Sequence, residues 1–267
     1  MSFIEEVVRL RDNDTTLTTL VLNRQKIGDE GAKELAEALR MNTTLMTLDL
    51  YDNQFGAAGA KELADAVKMN MTLTTLTVED NQIGDEGAKE LAEVLKMSTT
   101  VTTLNLRFNQ IGAKGAKQLG DALKRNRTLT KLDLWDNKIG DDGARELAKA
   151  LKTNTTLTTL NLFTNQIGAG GAKLLLETLK VNVSLTILDL GFSGIGDALG
   201  KELSNLCERN KAVVRAVLSA VYFVVGIRRG DLHEGMGKLG RLPRDVVLII
   251  AKCAWATRGD AKWLAAL

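Results

Sequence analysis

One phrase recurs through most of the chain, and its spacing does not drift. The leading apolar position falls at Leu17, Leu45, Leu73, Val101, Leu129, Leu157 and Leu185, always 28 residues apart. Each is followed by L-x-x-L-x-L-x-x-N, as in Leu129, Leu132, Leu134 and Asn137. A fixed period of this length means one supersecondary unit that cannot bury its apolar face alone and must stack on its neighbours.

Within a unit, the Thr-rich Leu-x-Leu alternation has the period of a short half-buried strand. The segment GAKELAEAL places Ala32, Leu35, Ala36 and Leu39 on one face of a helix. Asp29 and Glu30 lead that helix and Arg40 closes it, with Lys68, Lys96, Lys124, Lys152 and Lys180 in the equivalent places. That order suits the helix dipole at both ends. Gly28 and Gly31, with their equivalents, are expected to keep the turn tight and free of the ordinary backbone regions. Lys33/Glu37, Lys61/Asp65, Lys89/Glu93 and Lys117/Asp121 stand four apart and are expected to support the helix from its solvated side.

Stacked strands lie about 4.8 Å apart, whereas packed helices need about 8–10 Å, so the stack must bend. The expected architecture is an α/β horseshoe of about seven repeats, with a parallel sheet on the concave side, helices outside and helical caps at the ends. Asn53, Asn81, Asn109, Asn137 and Asn165 form one column, replaced by Gln25 at the start and Ser193 at the end. A buried amide column must be hydrogen-bonded, and backbone groups of the adjacent turns are the economical partners.

The wording N-x-I-G-x-x-G-A-K-x-L-A-x-A-L-K-x-N-x-T-L-T-T-L-x-L resembles the ribonuclease-inhibitor-like subfamily of leucine-rich repeats, closest in wording to the repeats of NOD-like receptors. It is also similar to the repeats of Ran GTPase-activating protein. The likeness implies the same solenoid, and the second likeness implies regulation of a small GTPase as one alternative function. No nucleotide-binding module precedes the repeats and the long acidic tail of the Ran regulator is missing, so neither complete protein is expected.

Seven internal copies separate the letters the fold dictates from those it leaves open. The column after the third leucine reads Asn23, Tyr51, Glu79, Arg107, Trp135, Phe163, Gly191, and its neighbour reads Arg24, Asp52, Asp80, Phe108, Asp136, Thr164, Phe192. Of the six aromatics within the repeats, five fall in these columns; the sixth, Phe55, replaces a core isoleucine. Exposed Trp, Tyr and Arg on a rigid surface are typical interface anchors. The candidate partner-binding residues are therefore Tyr51, Asp52, Glu79, Asp80, Arg107, Phe108, Trp135, Asp136 and Phe163. The alternative is that the rings pack sideways on neighbouring strands and only stabilise the sheet. Thr47, Thr75, Thr103, Lys131 and Thr159, then Asp49, Thr77, Asn105, Asp133, Asn161 and Asp189, complete a polar rim whose acids suit a basic partner patch.

Other functions find little purchase. A net charge of +2 supplies no bulk field for nucleic acid or an anionic membrane. His233 is the sole histidine, Cys207 and Cys253 have no base near them in sequence, and no metal-ligand spacing occurs. Asp49, Asp52, Asp80, Asp133 and Asp136 converge enough to hold a cation in principle, though such carboxylates are more often solvated. GMGKLG, residues 235–240, spells a phosphate-loop pattern without a strand before it or a helix start after it, and reads as a hinge. No catalytic residue, metal or cofactor is expected. Asn13, Asn42, Asn70, Asn126, Asn154 and Asn182 are glycosylation sequons in form. Five of them are the repeat's own wording, and with no leader in MSFIEEVVRL the expected location is cytoplasmic.

The expected organisation is an N-terminal helical cap at 1–16, with Phe3, Val7 and Leu10 on one face, and repeats over 17–211. A C-terminal cap and hinge follow at 212–241, and a helical tail at 242–267. Residues 212–227 are too short and carry Arg215, so they do not span a membrane; spacing makes them a buried helix, with an eighth strand at 213–218 as the alternative. The tail opens L-P-x-D-V, which resembles the start of an F-box and implies a ubiquitin-ligase substrate receptor as a further alternative. The reading preferred is a monomeric, non-enzymatic scaffold that holds a protein on its concave face.

Overall fold

The computed structural model describes residues 2–191 and 197–227, with side-chain environments given as far as residue 214. The chain divides into two compact units, Met1–Cys207 and Glu208–Leu267. The hinge, the F-box-like tail, His233, Cys253, Phe192 and Ser193 lie outside the described residues.

The first unit opens with helix α1, Phe3–Arg11, and then alternates strand and helix. The strands are β1 Thr19–Val21, β2 Thr47–Asp49, β3 Thr75–Thr77, β4 Thr103–Asn105, β5 Lys131–Asp133, β6 Thr159–Asn161 and β7 Ile187–Asp189. The helices between them are α2 Gly28–Met41, α3 Ala57–Met69, α4 Gly84–Met97, α5 Ala113–Leu123, α6 Gly140–Leu151 and α7 Ala169–Val181. Helix α8, Asp197–Ile227, begins in the first unit and continues into the second. Its backbone is helical across 213–218, so the eighth strand does not form.

All seven strands pair in parallel in chain order, and each residue faces its equivalent one repeat on: Leu20 with Leu48, Leu48 with Leu76, Leu76 with Leu104. One core runs between sheet and helices, made of the strand leucines and the Ala/Leu stripes of the helices, with Ala32, Leu35, Ala36 and Leu39 fully buried. Phe55 is buried among them, and α1 adds Val7 and Leu10 at the leading end. This is an α/β leucine-rich-repeat solenoid with an open sheet on one side.

The asparagine column is hydrogen-bonded as its burial demands. Asn137 shows the pattern: its Nδ2 donates to the carbonyls of Leu106, Leu134 and Trp135, and its Oδ1 accepts from the N–H groups of Asn109 and Ile111. A second buried column consists of the sequon asparagines. Asn70 donates to the carbonyls of Leu39 and Asn42 and accepts from the N–H groups of Thr72 and Leu73. Asn42, Asn70, Asn126, Asn154 and Asn182 are all buried, so no sugar can be attached to any of them in the folded chain.

Two expectations need correction. The Lys/Glu and Lys/Asp pairs four apart do not form; instead Asp65, Glu93 and Asp121 reach forward three residues to Lys68, Lys96 and Lys124. An acid N-terminal to its base is the better orientation on a helix, because both charges then also favour the dipole. These lysines hold the Glu93 and Asp121 carboxyls below the usual range, chiefly by direct hydrogen bonds and against a smaller effect of burial.

The glycines, for their part, do two different jobs. Gly84 has φ +58° and needs glycine's left-handed freedom, while the N-capping Gly112, its counterpart one repeat later, is extended. Gly115 is needed for space, since a Cβ there would lie 2.7 Å from Asp85 Oδ1 and 3.0 Å from the Ala88 Cβ.

That difference reveals a longer period. Asp85 Oδ1 accepts from the N–H groups of Gly112 and Gly115, at 2.7 and 2.8 Å, and so caps α5 from the preceding repeat. Asp29 does the same for Gly56 and Gly59 at the start of α3, and Asp141 for Gly168 at the start of α7. The intervening helices α4 and α6 receive no such bond from the preceding repeat, because the position of the capping acid there is Ala57 and Ala113. Capping units and capped units thus alternate, and the true repeat is a pair.

Candidate functional site

The inward surface of the sheet is built by three positions in each unit. The first lies between the second and third leucines and carries Asp49, Asn105, Asp133, Asn161 or Asp189. Each of these uses one oxygen to accept from the backbone N–H two residues on, at Tyr51, Arg107, Trp135, Phe163 and Gly191 respectively. Such a turn ends the strand locally, as Asp and Asn side chains are suited to do. The carboxylate's second oxygen fares differently from unit to unit: that of Asp49 accepts from the Asn23 amide at 3.4 Å, Asp133 is buried, and Asp189 is exposed.

The second position carries most of the large side chains, and Phe108 of the third joins them. Phe108 and Trp135 have ring centroids 5.7 Å apart in a tilted arrangement, and Trp135 and Phe163 meet edge-on at 5.2 Å. The Arg107 guanidinium lies 3.8 Å over the Trp135 ring and 5.6 Å from that of Phe108. Its Nε is buried, makes no hydrogen bond, and faces Glu79 Oε1 at 3.6 Å. Glu79 is in turn held by the Asn105 amide, which donates to its Oε2 at 2.7 Å. Arg107, Phe108, Trp135 and Phe163 all remain half-exposed. The sideways packing and the outward presentation expected as alternatives are therefore both present in the same side chains.

The third position is left-handed in the six units where it is described, with φ between 52° and 60° at Arg24, Asp52, Asp80, Phe108, Asp136 and Thr164. Asp tolerates this backbone, whereas a bulky or β-branched side chain is strained there. Phe108 and Thr164 are accordingly out of place by local preference.

The candidate residues form two groups. Around Phe108 and Trp135 stand Glu79, Arg107 and Phe163. Toward the leading end, Tyr51 and Asp52 gather around Arg24, which the sequence had not singled out although it occupies the same column as Asp52 and Phe108. The Arg24 guanidinium donates to the Tyr51 hydroxyl at 2.9 Å, lies 5.1 Å over its ring, and faces Asp52 at 3.5 Å. The hydroxyl bond is the main reason the Arg24 guanidinium is held above its ordinary range. Asp80 lies within electrostatic reach of Arg24 without pairing to it, Asp136 stands in neither group, and neither has an ion pair among the described residues.

No group of His, Cys, Asp and Glu among the described residues is arranged to hold a metal ion, so the sheet-face carboxylates do not converge on a cation. No helix among them is long and apolar enough to cross a membrane.

Comparison with known proteins bears on the repeats. A model of the TMOD/LMOD leucine-rich domain matches residues 2–116, and a leucine-rich-repeat model matches 125–148, 153–176 and 181–200. Among solved structures, leiomodin-1 actin-binding site 2 is 22% identical, with 86% of this chain and 99% of that one covered and a TM-score of 0.47. The tropomodulin C-terminal domain of Caenorhabditis elegans is 16% identical, with 81% and 97% covered and a TM-score of 0.38. No curated protein matches the chain. With strands in register every 28 residues, buried asparagines at each turn and repeat models matching within 2–200, the chain is a leucine-rich-repeat protein.

Proposed function

We propose that this chain is a non-enzymatic scaffold that binds a partner protein on the inner face of its sheet, with Tyr51, Arg107, Phe108, Trp135 and Phe163 as anchors and Asp52, Glu79, Asp80 and Asp136 around them. The observation that carries the reading is the strip Arg107–Phe108–Trp135–Phe163. Three rings and a guanidinium in mutual contact cross three successive repeats on a rigid sheet and stay half-exposed. Side chains already locked by neighbours lose little entropy on binding, which is what makes such residues efficient anchors. Phe108 adds to this, because a phenylalanine at φ +54° costs stability that the fold does not require.

The repeats fit the ribonuclease-inhibitor-like subfamily in wording and in carrying an α-helix in each unit. The cytoplasm is the setting we assign, since five of the six sequon asparagines are buried by the fold and so do not argue for a glycosylated, secreted chain.

Affinity capture with mass spectrometry, comparing the intact protein with a folded Tyr51/Trp135/Phe163→Ala variant, tests the proposal. Specific proteins should vanish from the variant. Identical lists from the two would move the binding surface elsewhere and refute the assignment. Actin, named for the leiomodin-1 segment, is a direct probe beside the unbiased capture, read by cosedimentation with the same two proteins.

A further inference from the structure

We infer that the partner held on the sheet face presents a basic segment, rich in Lys or Arg; this rests on the reading above that the face is where a protein docks. Two of the cations on that face are already answered from within: Arg24 faces Asp52, and Arg107 faces Glu79. That leaves Asp49, Asp80, Asp136 and Asp189 against Lys131 on the accessible face, none of them in an ion pair among the described residues, while Asp133 is buried. The face thus carries an excess of negative charge in a chain whose overall charge is +2, so the excess is a property of this face and not of the molecule.

These charges are also poorly placed to be satisfied internally. Asp49 and Asp189 each commit one oxygen to a backbone N–H, and the other oxygen of Asp49 has only a long bond from the Asn23 amide, at 3.4 Å; Asp49 is half-exposed and Asp189 exposed. Asp80 is exposed and Asp136 half-exposed on the left-handed backbone of their column. Trp135 and Phe163, half-exposed on the same face, suit the aliphatic stems of Lys and Arg. A nucleic acid or an acidic protein would be repelled by the same surface, and a purely apolar partner would leave four carboxylates desolvated without compensation.

The test uses the full chain and two labelled probes, a short peptide alternating Arg and Ser and its counterpart alternating Glu and Ser, followed by fluorescence anisotropy at low and high salt. The Asp49→Asn/Asp80→Asn/Asp136→Asn variant keeps the fold, because Asn keeps Asp49's acceptor oxygen, already stands in that column at Asn105 and Asn161, and tolerates a left-handed backbone. The Arg peptide should bind, weaken with salt, and bind this variant about tenfold less tightly; the Glu peptide should not bind. Equal binding of the two peptides, or no response to the three substitutions, overturns the inference. Capture with both variants separates the two levels. If partners are lost with Tyr51/Trp135/Phe163→Ala but kept with the Asp variant, the surface stands and the basic partner falls. If neither variant loses them, both fall.

Discussion

Tyr51 and Asn53 are two residues apart, and so are Trp135 and Asn137, yet the columns they belong to obey different rules. The asparagine position is constant from Asn53 to Asn165, fully or nearly buried, and each side chain bonds to backbone in its own and adjoining repeats. The position two residues earlier holds Tyr, Glu, Arg, Trp and Phe in five successive units, all half-exposed. A column becomes uniform where every unit must solve the same hydrogen-bonding problem, since a buried carbonyl or N–H left alone costs about 1–3 kcal/mol. It diverges where the frame asks for nothing beyond a side chain that leaves the sheet. The contrast identifies which residues are available to function, and it can be tested from either side.

The largest effect is expected on the constant side. Asn137→Ala removes the acceptor for two N–H groups and the donor for three carbonyls in the middle of the stack. Not all five will find water, and a loss of about 3 kcal/mol is expected from the groups left unsatisfied. Because each unit contacts only its neighbours, the damage should spread to both flanks, and the denaturant transition should broaden or split. A loss under about 1 kcal/mol with an unchanged transition would mean that this column is as replaceable as the variable one.

A smaller effect of opposite sign is expected where the second asparagine column lapses. Ser98 keeps the local bonds, accepting from the N–H groups of Thr100 and Val101, but the shorter side chain makes no bond to the carbonyls of Val67 and Asn70. Its counterparts do reach that far: Asn70 bonds to Leu39 and Asn42, and Asn154 to Leu123 and Asn126. Ser98→Asn should therefore stabilise the protein by about 1 kcal/mol, measured as a raised denaturant midpoint at unchanged slope. A destabilised variant would show that the two turns have adapted to serine.

How much of this was legible beforehand follows the same division. Strand register, helix faces and the need to bond Asn53 and its equivalents could be read directly, because each is a local demand repeated at every unit. The pairing of units could not. Asp29 looks like a helix-leading acid in its own repeat, and only the coordinates show its oxygen on the N–H groups of Gly56 and Gly59 in the next. The clue was present in the alternation of GDEG and GDDG with GAAG, GAKG and GAGG, which places a capping acid in every second unit. Lys61 and Asp65 matched the expected spacing, but Asp65 had a better partner in Lys68. At the site, the aromatic columns were visible while Arg24 was not, because nothing in a linear pattern says that a guanidinium one unit earlier will reach the Tyr51 hydroxyl.

The smallest expected change in stability is also the sharpest test of the contrast. Phe108 occupies a position that is left-handed in each of the six units where it is described, and Asp52, Asp80 and Asp136 show what the backbone there accepts readily. Replacing it by asparagine relieves a backbone cost of about 1 kcal/mol and gives up the tilted contact with Trp135 and the Arg107 guanidinium above its ring, together worth about the same. The two terms oppose each other, so Phe108→Asn should leave the unfolding midpoint nearly where it was. Its affinity for any partner captured by the intact protein should nevertheless fall about tenfold or more, as for a buried aromatic anchor at an interface. A variant that loses stability and binding in proportion would mean that Phe108 serves the sheet. One that loses binding alone would mean that the strain at this residue is kept for what the face holds.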